Sequence, residues 1–193
     1  MNLRFAKVSW LVAAAVALMW QGEAYGDYVD FGLAVGNTAP AFTLSNQDNQ
    51  PVSLQSLLKQ GPVAVVFVAS ADTCTMCQLR LMQLQRNLKE IEAAGGHVVG
   101  ISHDPVDRLT RFAKREKITI PLLSDTGDKI IDAYQMRNTF LNDGSSRHGV
   151  FVLDQKGVIR SKPLLMSHED REVVNQLVGE LKAAQNANGE PKS

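Results

Sequence analysis

The chain has only two cysteines, and they stand close together as Cys74-Thr-Met-Cys77. Two thiols at this spacing can form one disulfide bond and open it again by thiol–disulfide exchange. The pair follows an apolar run at residues 63–68 and precedes a long helical pattern, so it stands at the start of a helix. Unpaired amide groups and the helix macrodipole favour a thiolate there, and the thiolate is the reactive form of sulfur. The pattern therefore predicts redox chemistry.

Hydrophobic patterning predicts the elements that hold the pair. Residues 63–68 are a continuous β-branched run, which is typical of a central strand covered on both faces. After the cysteines, four apolar residues recur at helical spacing: Leu81, Leu84, Leu88 and Ile91. They predict one helix over residues 75–94, which the glycine at position 95 ends.

Strands and helices alternate along the rest of the chain. Further strands are predicted at residues 41–44, 52–54, 98–101, 118–123, 149–154 and 158–162, and further helices at residues 54–58, 106–116, 128–134 and 167–184. Asp104 before Pro105 is predicted to cap the helix over residues 106–116. Alternation implies a parallel sheet, and the last two strands form a hairpin. The order resembles the α/β thioredoxin-like fold, with an N-terminal β-hairpin and a central β-α insertion.

The first 26 residues are typical of a secretory signal peptide. Arg4 and Lys7 precede a short apolar core, and Ala24-Tyr-Gly26 places small residues before a cleavage at Asp27. The alternative is an uncleaved membrane anchor, but a spanning helix usually needs about 20 apolar residues. We therefore expect a periplasmic or secreted protein without stable membrane insertion after cleavage, or an anchored one if the segment is kept.

The composition fits a single catalytic domain and does not indicate a nucleic-acid partner. Residues 27–185 are predicted to form one domain and residues 186–193 a disordered tail. Lys plus Arg and Asp plus Glu number 20 each, without a basic cluster. A disulfide that closes so small a loop removes little entropy from the unfolded chain. The bond is therefore predicted to be made and broken, and an inert disulfide is the alternative.

Four segments over about residues 35–180 carry a family resemblance. They are Val35-Gly-Asn-Thr-Ala-Pro-Ala-Phe-Thr-Leu44, Val65-Val-Phe-Val-Ala-Ser70, Val98-Val-Gly-Ile-Ser-His-Asp-Pro105 and Phe151-Val-Leu-Asp-Gln-Lys-Gly-Val158. Their order resembles the peroxiredoxins, the alkyl hydroperoxide reductase and thiol-specific antioxidant (AhpC/TSA) family. The cysteines resemble a branch in which C-x-x-C replaces threonine-x-x-cysteine. This register implies that Cys77 attacks the peroxide and that Cys74 replaces the threonine.

The resemblance implies a thiol peroxidase recycled by an external thiol donor protein, and the N-terminal segment predicts that it is exported. A Cys77 thiolate would attack the O–O bond and become a sulfenic acid, which Cys74 would condense to a disulfide. The alternative is a protein thiol-disulfide oxidoreductase, in which Cys74 attacks the substrate disulfide and Cys77 resolves it. No nucleotide, flavin or haem motif is present, so no bound cofactor is expected.

The chain departs from the family in the loops around the cysteines. Ser70 stands where the family has a proline before the cysteine loop. His148 stands where the family has a proline, usually held cis, before the hairpin strand. A residue other than proline is rarely cis, so this loop is expected to reach the cysteines in another geometry. Thr73 stands where thioredoxin-like reductases carry tryptophan.

Four further residues are candidates for binding substrate or tuning the thiolate. Arg147 or His148 would lower the pKa of a cysteine by placing positive charge beside it; a loop arginine is equally often a solvated residue. Thr73 or Thr75 would hydrogen-bond substrate, although a threonine at a helix start is more often a cap.

A metal site is the third alternative. Two cysteine sulfurs and His148 would form a set suited to Cu(I) or Zn(II). The arrangement resembles exported thioredoxin-fold copper chaperones, whose cysteines are normally separated by three residues rather than two. A lone loop histidine is more often incidental, so no metal is assigned to the site at this stage.

Overall fold

The structure, a computed structural model, describes residues 31–140, 144–163 and 169–187. The predicted signal peptide and residues 188–193 of the predicted tail lie outside the described residues, and the domain boundaries stay predictions. Within the described ranges, no helix has the length and apolar character needed to cross a membrane.

Strands in the described part of the chain form one mixed sheet in the order β2-β1-β5-β4-β3-β6-β7. They are β1 Thr43–Ser45, β2 Pro51–Ser53, β3 Val63–Phe67, β4 His97–Ser102, β5 Leu122–Ser124, β6 Gly149–Leu153 and β7 Ile159–Ser161. β3, β4 and β5 are parallel, and antiparallel hairpins form both edges. The α/β class, the N-terminal hairpin and the C-terminal hairpin are as predicted.

Opposite ends of the sheet carry different loops. β6 runs antiparallel to β3, so Gly149 pairs with Phe67 and Leu153 pairs with Val63. The residues before β6 therefore share one end of the sheet with the residues that follow β3, β4 and β5. We call this the cysteine end. The opposite end, where β6 turns into β7, is the hairpin end.

Helices cover both faces of the sheet. They are α1 Leu54–Leu58, α2 Thr75–Arg86, α3 Leu88–Ala93, α4 Val106–Glu116, α5 Lys129–Ala133 and α6 Asp170–Asn186. Alternate residues of β3 face opposite sides: Ala64 and Val66 pack in a cluster with residues of α2, α4 and α6, whereas Val65 and Phe67 pack with residues of α1 and α5. Burial of both faces explains the continuous apolar run in β3.

The single helix predicted over residues 75–94 is wrong, because the chain leaves the helix at Asn87. This residue has φ −110° and ψ 12°. Its side-chain amide donates to the Gln83 carbonyl at 2.9 Å, and its own N–H donates to the Leu84 carbonyl instead. The asparagine side chain thus takes the acceptor that the backbone needs to continue the helix.

The strand predicted over residues 118–123 is shorter than expected. Only Leu122–Ser124 is a strand, and the preceding backbone bonds to side-chain amides. Gln47 donates to the Ile120 carbonyl and accepts from the Leu122 N–H, and Gln85 accepts from the Ile120 N–H. These glutamines satisfy buried backbone groups that a strand neighbour would otherwise pair.

Candidate active site

The two cysteines lie at the cysteine end of the sheet and form a disulfide. Their Cα atoms are 5.2 Å apart, within the usual range for a disulfide. Cys74 is the N-cap of α2, and its sulfur accepts a hydrogen bond from the Cys77 N–H at 3.2 Å. The helix start thus stabilises negative charge on the Cys74 sulfur when the bond opens.

The two sulfurs differ in exposure. Cys77 lies in the first turn of α2 and is fully buried in the hydrophobic core. Cys74, at the N-terminus of the helix, is half-buried. Thr73 and Thr75 are exposed, and neither caps the helix, because Cys74 occupies that position. The Thr73 N–H donates to the Ser70 hydroxyl within the loop, and neither threonine hydroxyl has a hydrogen-bond partner among the described residues. Their role toward substrate stays a prediction.

His148 contacts both sulfurs. Its Nε2 lies 3.2 Å from the Cys77 sulfur and 3.7 Å from the Cys74 sulfur. The residue is exposed, and no described peptide bond is cis, so His148 approaches the cysteines in the trans geometry expected for a residue other than proline. Although the residue as a whole is exposed, desolvation of its imidazole, and then the positive charge of Arg80, lower the pKa of His148 from its ordinary value. The shift favours the neutral imidazole in the disulfide form.

A buried carboxylate holds the loop that leads into the cysteines. Asp104 accepts hydrogen bonds from the Ser70 hydroxyl at 2.8 Å, the Ala71 N–H at 2.6 Å and the Ser102 hydroxyl at 2.9 Å. The Ser70 hydroxyl also accepts from the Thr73 N–H at 3.0 Å. The prediction that Asp104 caps α4 is therefore wrong: Pro105 is the N-cap, and the aspartate turns inward to the cysteine loop.

Side chains on the helices complete this anchor. The amide of Gln78 donates to the carbonyls of Ala71 and Asp72 at 3.0 and 2.8 Å. Arg108 on α4 lies 3.7 Å from the Asp72 carboxylate. The loop is thus fixed through both its amides and its carbonyls, which keeps Cys74 at the start of α2.

Arg147 takes part in another cluster. Its guanidinium lies over the ring of Phe31 at 3.8 Å and over that of Phe140 at 5.1 Å, and it donates to the Arg137 carbonyl and the Thr139 hydroxyl. None of its recorded contacts in the described part of the chain is with a sulfur. A role for Arg147 beside the thiolate stays a prediction, and no described contact supports it.

Sequence reasoning missed the anchor of the cysteine loop, to which Gln78, Ser102 and Arg108 also belong. Ser70 was noted only as the replacement of a proline, Asp104 was interpreted as a cap, and Arg80 was not considered. One signal was present: Asp104 follows the carboxyl end of a parallel strand, where functional side chains of α/β proteins gather. The contact between His148 and both sulfurs brings together three atoms that can also ligate a metal.

Comparison with known proteins identifies a family that the sequence matches. The model of the AhpC/TSA family matches residues 35–162. Chloroplastic peroxiredoxin Q of Sedum lineare is 33% identical over 125 residues, which cover 65% of this chain and 66% of the relative. Peroxiredoxin Bcp of Escherichia coli K12 is 30% identical over 131 residues, 66% of this chain and 83% of the relative.

The length of these matches is limited. The chain spans just under two thirds of the Sedum relative and 57% and 56% of two further chloroplastic peroxiredoxin Q sequences. The crystal structure of peroxidoxin BcpB from Mycobacterium tuberculosis superposes with a TM-score of 0.68 at 24% identity, over 78% of this chain and 97% of that one. This likeness confirms the fold, and the sequence matches concern the domain that contains the cysteines.

Proposed function

The chain belongs to the AhpC/TSA family, and we propose that it is an exported thiol-dependent peroxidase that reduces hydroperoxides through Cys74 and Cys77. The observation that carries the proposal is the Cys74–Cys77 disulfide at the start of α2, with the imidazole of His148 against both sulfurs. A disulfide between these two cysteines is the state that a complete peroxidase turnover within one chain would leave, which supports the proposal.

The peroxide step starts from the reduced pair. A Cys77 thiolate attacks one peroxide oxygen, the S–O bond forms, the O–O bond breaks, and the departing hydroxide or alkoxide takes up a proton. The Cys74 thiolate then attacks the sulfenic sulfur, and the hydroxide that leaves is released as water. Two thiols and one hydroperoxide thereby yield one disulfide, one alcohol or water, and one further water. No second protein chain is needed for this half of the cycle.

The contacts of His148 with both sulfurs support a role for it in both steps. His148 is exposed and its Nε2 contacts the buried Cys77 sulfur, which supports an approach of a small peroxide from the side of this residue. A thiolate beside the imidazole favours its protonated form. The residue therefore stores a proton near the reacting sulfur and can return it to the departing oxygen.

Recycling requires an external thiol donor, and Cys74 is the accessible target for it. A donor thiolate that attacks the Cys74 sulfur releases Cys77 as the buried thiolate next to His148. Met76 and Leu79 lie one turn apart on α2, the helix that Cys74 caps, and are 51% and 44% exposed. Large exposed apolar side chains on the helix that begins at the target sulfur support a protein donor with a complementary apolar surface.

Export rests on the N-terminal sequence. A cleaved leader ending at Gly26 would place the disulfide in an oxidising compartment, where such bonds form and persist. Intact mass of the protein isolated from its native cells tests this directly: loss of residues 1–26 supports export, and a retained leader contradicts cleavage.

Thiol–disulfide exchange with protein substrates is the second candidate. The exposed Cys74 sulfur, stabilised by the Cys77 N–H, also suits attack on a substrate disulfide, with Cys77 as the resolving thiol. The two functions require opposite roles for the cysteines, so single substitutions distinguish them.

The test measures oxidation of the reduced protein in a stopped-flow instrument, with hydrogen peroxide and with a disulfide-bonded protein as separate substrates. We expect Cys77→Ser to abolish the peroxide reaction and Cys74→Ser to retain one fast oxidation that stops at the sulfenic acid. Peroxide reactivity that survives in Cys77→Ser and is lost in Cys74→Ser would exchange the roles. Slow peroxide oxidation together with fast disulfide exchange in the unsubstituted protein would support the second candidate.

A further inference from the structure

We propose that the reduced site binds one Cu(I) ion through the Cys74 sulfur, the Cys77 sulfur and Nε2 of His148. In the disulfide form these three ligand atoms already lie within 4.8 Å of one another. Opening the disulfide takes two electrons from the thiol donor, and the ion then displaces the thiol protons without any change in its own oxidation state. The inference concerns metal binding and holds whether the physiological substrate is a peroxide or a disulfide.

The geometry of the three atoms suits a trigonal site. Metal bonds of about 2.3 Å to sulfur and about 2.0 Å to nitrogen place each sulfur about 3.7 Å from the nitrogen in a planar arrangement. Nε2 of His148 lies 3.7 Å from the Cys74 sulfur and 3.2 Å from the Cys77 sulfur. Only the Cys77 sulfur must therefore move away from the imidazole, by about half an ångström on the bond lengths given above.

Metal binding also requires the two sulfurs to move apart, and the positions of the two Cα atoms allow this movement. Trigonal coordination sets them about 4 Å apart. Their Cα atoms are 5.2 Å apart, so rotation of the side chains supplies the distance without movement of the helix. Two cysteines with two residues between them are also the usual spacing of a metal-binding pair.

The ligand set favours Cu(I) over harder ions. Two thiolates and one imidazole are soft or borderline donors, which select Cu(I), zinc or iron–sulfur clusters rather than magnesium or calcium. Structural zinc sites need four protein ligands. No fourth histidine, cysteine or carboxylate ligand joins this group in the described part of the chain, whereas Cu(I) is satisfied by three.

The surroundings allow an ion to enter and leave. His148 is exposed and Cys74 is half-buried, so two of the three ligands are open to an incoming donor, while Cys77 is buried beneath them. Asp104 and Gln78 hold the loop in front of the cysteines through hydrogen bonds. A site with one buried and two accessible ligands permits transfer of the ion by stepwise ligand exchange.

The experiment uses the full-length protein, reduced with a phosphine and freed of the reductant under anaerobic conditions. Cu(I) is titrated in competition with a chromophoric chelator, and X-ray absorption identifies the ligands. We expect one Cu(I) per chain, none in the disulfide form, two sulfur neighbours at about 2.3 Å and one nitrogen neighbour at about 2.0 Å. Bound Cu(I) should also protect Cys74 from alkylation, because both thiolates are engaged.

His148→Ala tests the third ligand, and His97→Ala is the matched control. His97 begins β4 at the hairpin end, remote from the sulfurs. We expect His148→Ala to lose the nitrogen neighbour and to weaken Cu(I) binding at least tenfold, and His97→Ala to change neither. Equal affinity in His148→Ala and the unsubstituted protein, retention of all copper by the chelator, or displacement of the ion by equimolar Zn(II) would each overturn the proposal.

Discussion

Two buried aspartates hold loops at opposite ends of the same sheet, and they do so in different ways. Asp104 follows β4 at the cysteine end and is 1% exposed; Asp154 follows β6 at the hairpin end and is 0% exposed. Asp154 accepts from the N–H groups of Lys156 and Val158 and forms an ion pair with Arg160. Asp104 is bonded to two hydroxyl groups and one N–H, and no described ion pair involves it.

The difference reflects what each loop must do. The arginine at the hairpin end neutralises a buried carboxylate in a turn that only connects two strands. A cation beside Asp104 would instead add positive charge below the cysteine loop and act on the thiolates above it. Neutral donors fix Asp104 itself, and the one described ion pair of the loop, between Arg108 and Asp72, lies outside this buried group. Buried charge is thus paired where the loop is structural and hydrogen-bonded where the loop holds reactive groups.

Replacement of Asp104 by Ala should give the largest effect. It leaves the Ser70 hydroxyl and the Ala71 N–H without an acceptor, each at a cost of about 1–3 kcal/mol in the free energy of unfolding. The released loop also displaces Cys74, and a displacement of about 1 Å can lower a rate about 100-fold. Denaturant unfolding and the rate of peroxide oxidation measure the two effects. An unchanged oxidation rate in a folded Asp104→Ala protein would contradict the anchoring role.

Asp154→Ala is the matched change at the hairpin end. It removes the acceptor of two turn N–H groups and the partner of Arg160, which is itself partly exposed and can return to water. We expect a loss of about 2 kcal/mol in the free energy of unfolding, with cysteine reactivity unchanged. A slower peroxide oxidation in this variant would show that the two ends of the sheet are coupled.

Ser70→Ala should give a smaller loss at the cysteine end. The hydroxyl donates to Asp104 and accepts from the N–H groups of Asp72 and Thr73, so its removal frees the loop but leaves the Ala71 bond in place. We expect the unfolding free energy to fall by about 1–2 kcal/mol and the oxidation rate to fall by less than in Asp104→Ala.

Ser102→Ala is the control for this change. The Ser102 hydroxyl also donates to Asp104 but forms no hydrogen bond with the cysteine loop among the described residues. It should lower stability by a similar amount without slowing oxidation. Equal slowing by both serine variants would mean that the charge of Asp104, rather than its hold on the loop, controls the cysteines.

Local pattern and long-range contacts explain what the sequence could and could not predict. Helix α4 follows from its periodic apolar positions, and the redox pair follows from two cysteines at the start of a helix. The break at Asn87 depends on one side-chain hydrogen bond, which competes with a strong helical pattern. Asp104 was misassigned because capping is a local signal, whereas its true partners Ser70 and Ala71 are more than 30 residues away. His148 was a candidate by register, but only the folded chain places its ring against both sulfurs.

Substitution of Asp125 should change stability least, and the change should be detectable only as a dependence of the unfolding free energy on pH. It follows β5 at the cysteine end, is buried without a described ion pair, and accepts from the N–H groups of Ile130 and Ile131. Burial raises the pKa of Asp125 above 3.8, although these bonds oppose the shift. Between 3.8 and the raised pKa the folded chain binds more protons than the unfolded chain. The contribution of this carboxyl to stability is therefore present at low pH and is lost as pH rises through the raised pKa.

Denaturant unfolding of the unsubstituted protein and of Asp125→Asn at several pH values above 3.8 tests this sign. The stability of the unsubstituted protein relative to the variant should fall as pH rises. Asp107 supplies the opposite case, because its hydrogen bond with Arg111 lowers the pKa of an exposed carboxyl. Relative to Asp107→Asn, the unsubstituted protein should lose stability as pH falls. Slopes of the same sign for both pairs would mean that burial without a cation does not set the protonation of Asp125, and the contrast between neutral and ion-paired anchoring would then not extend beyond Asp104.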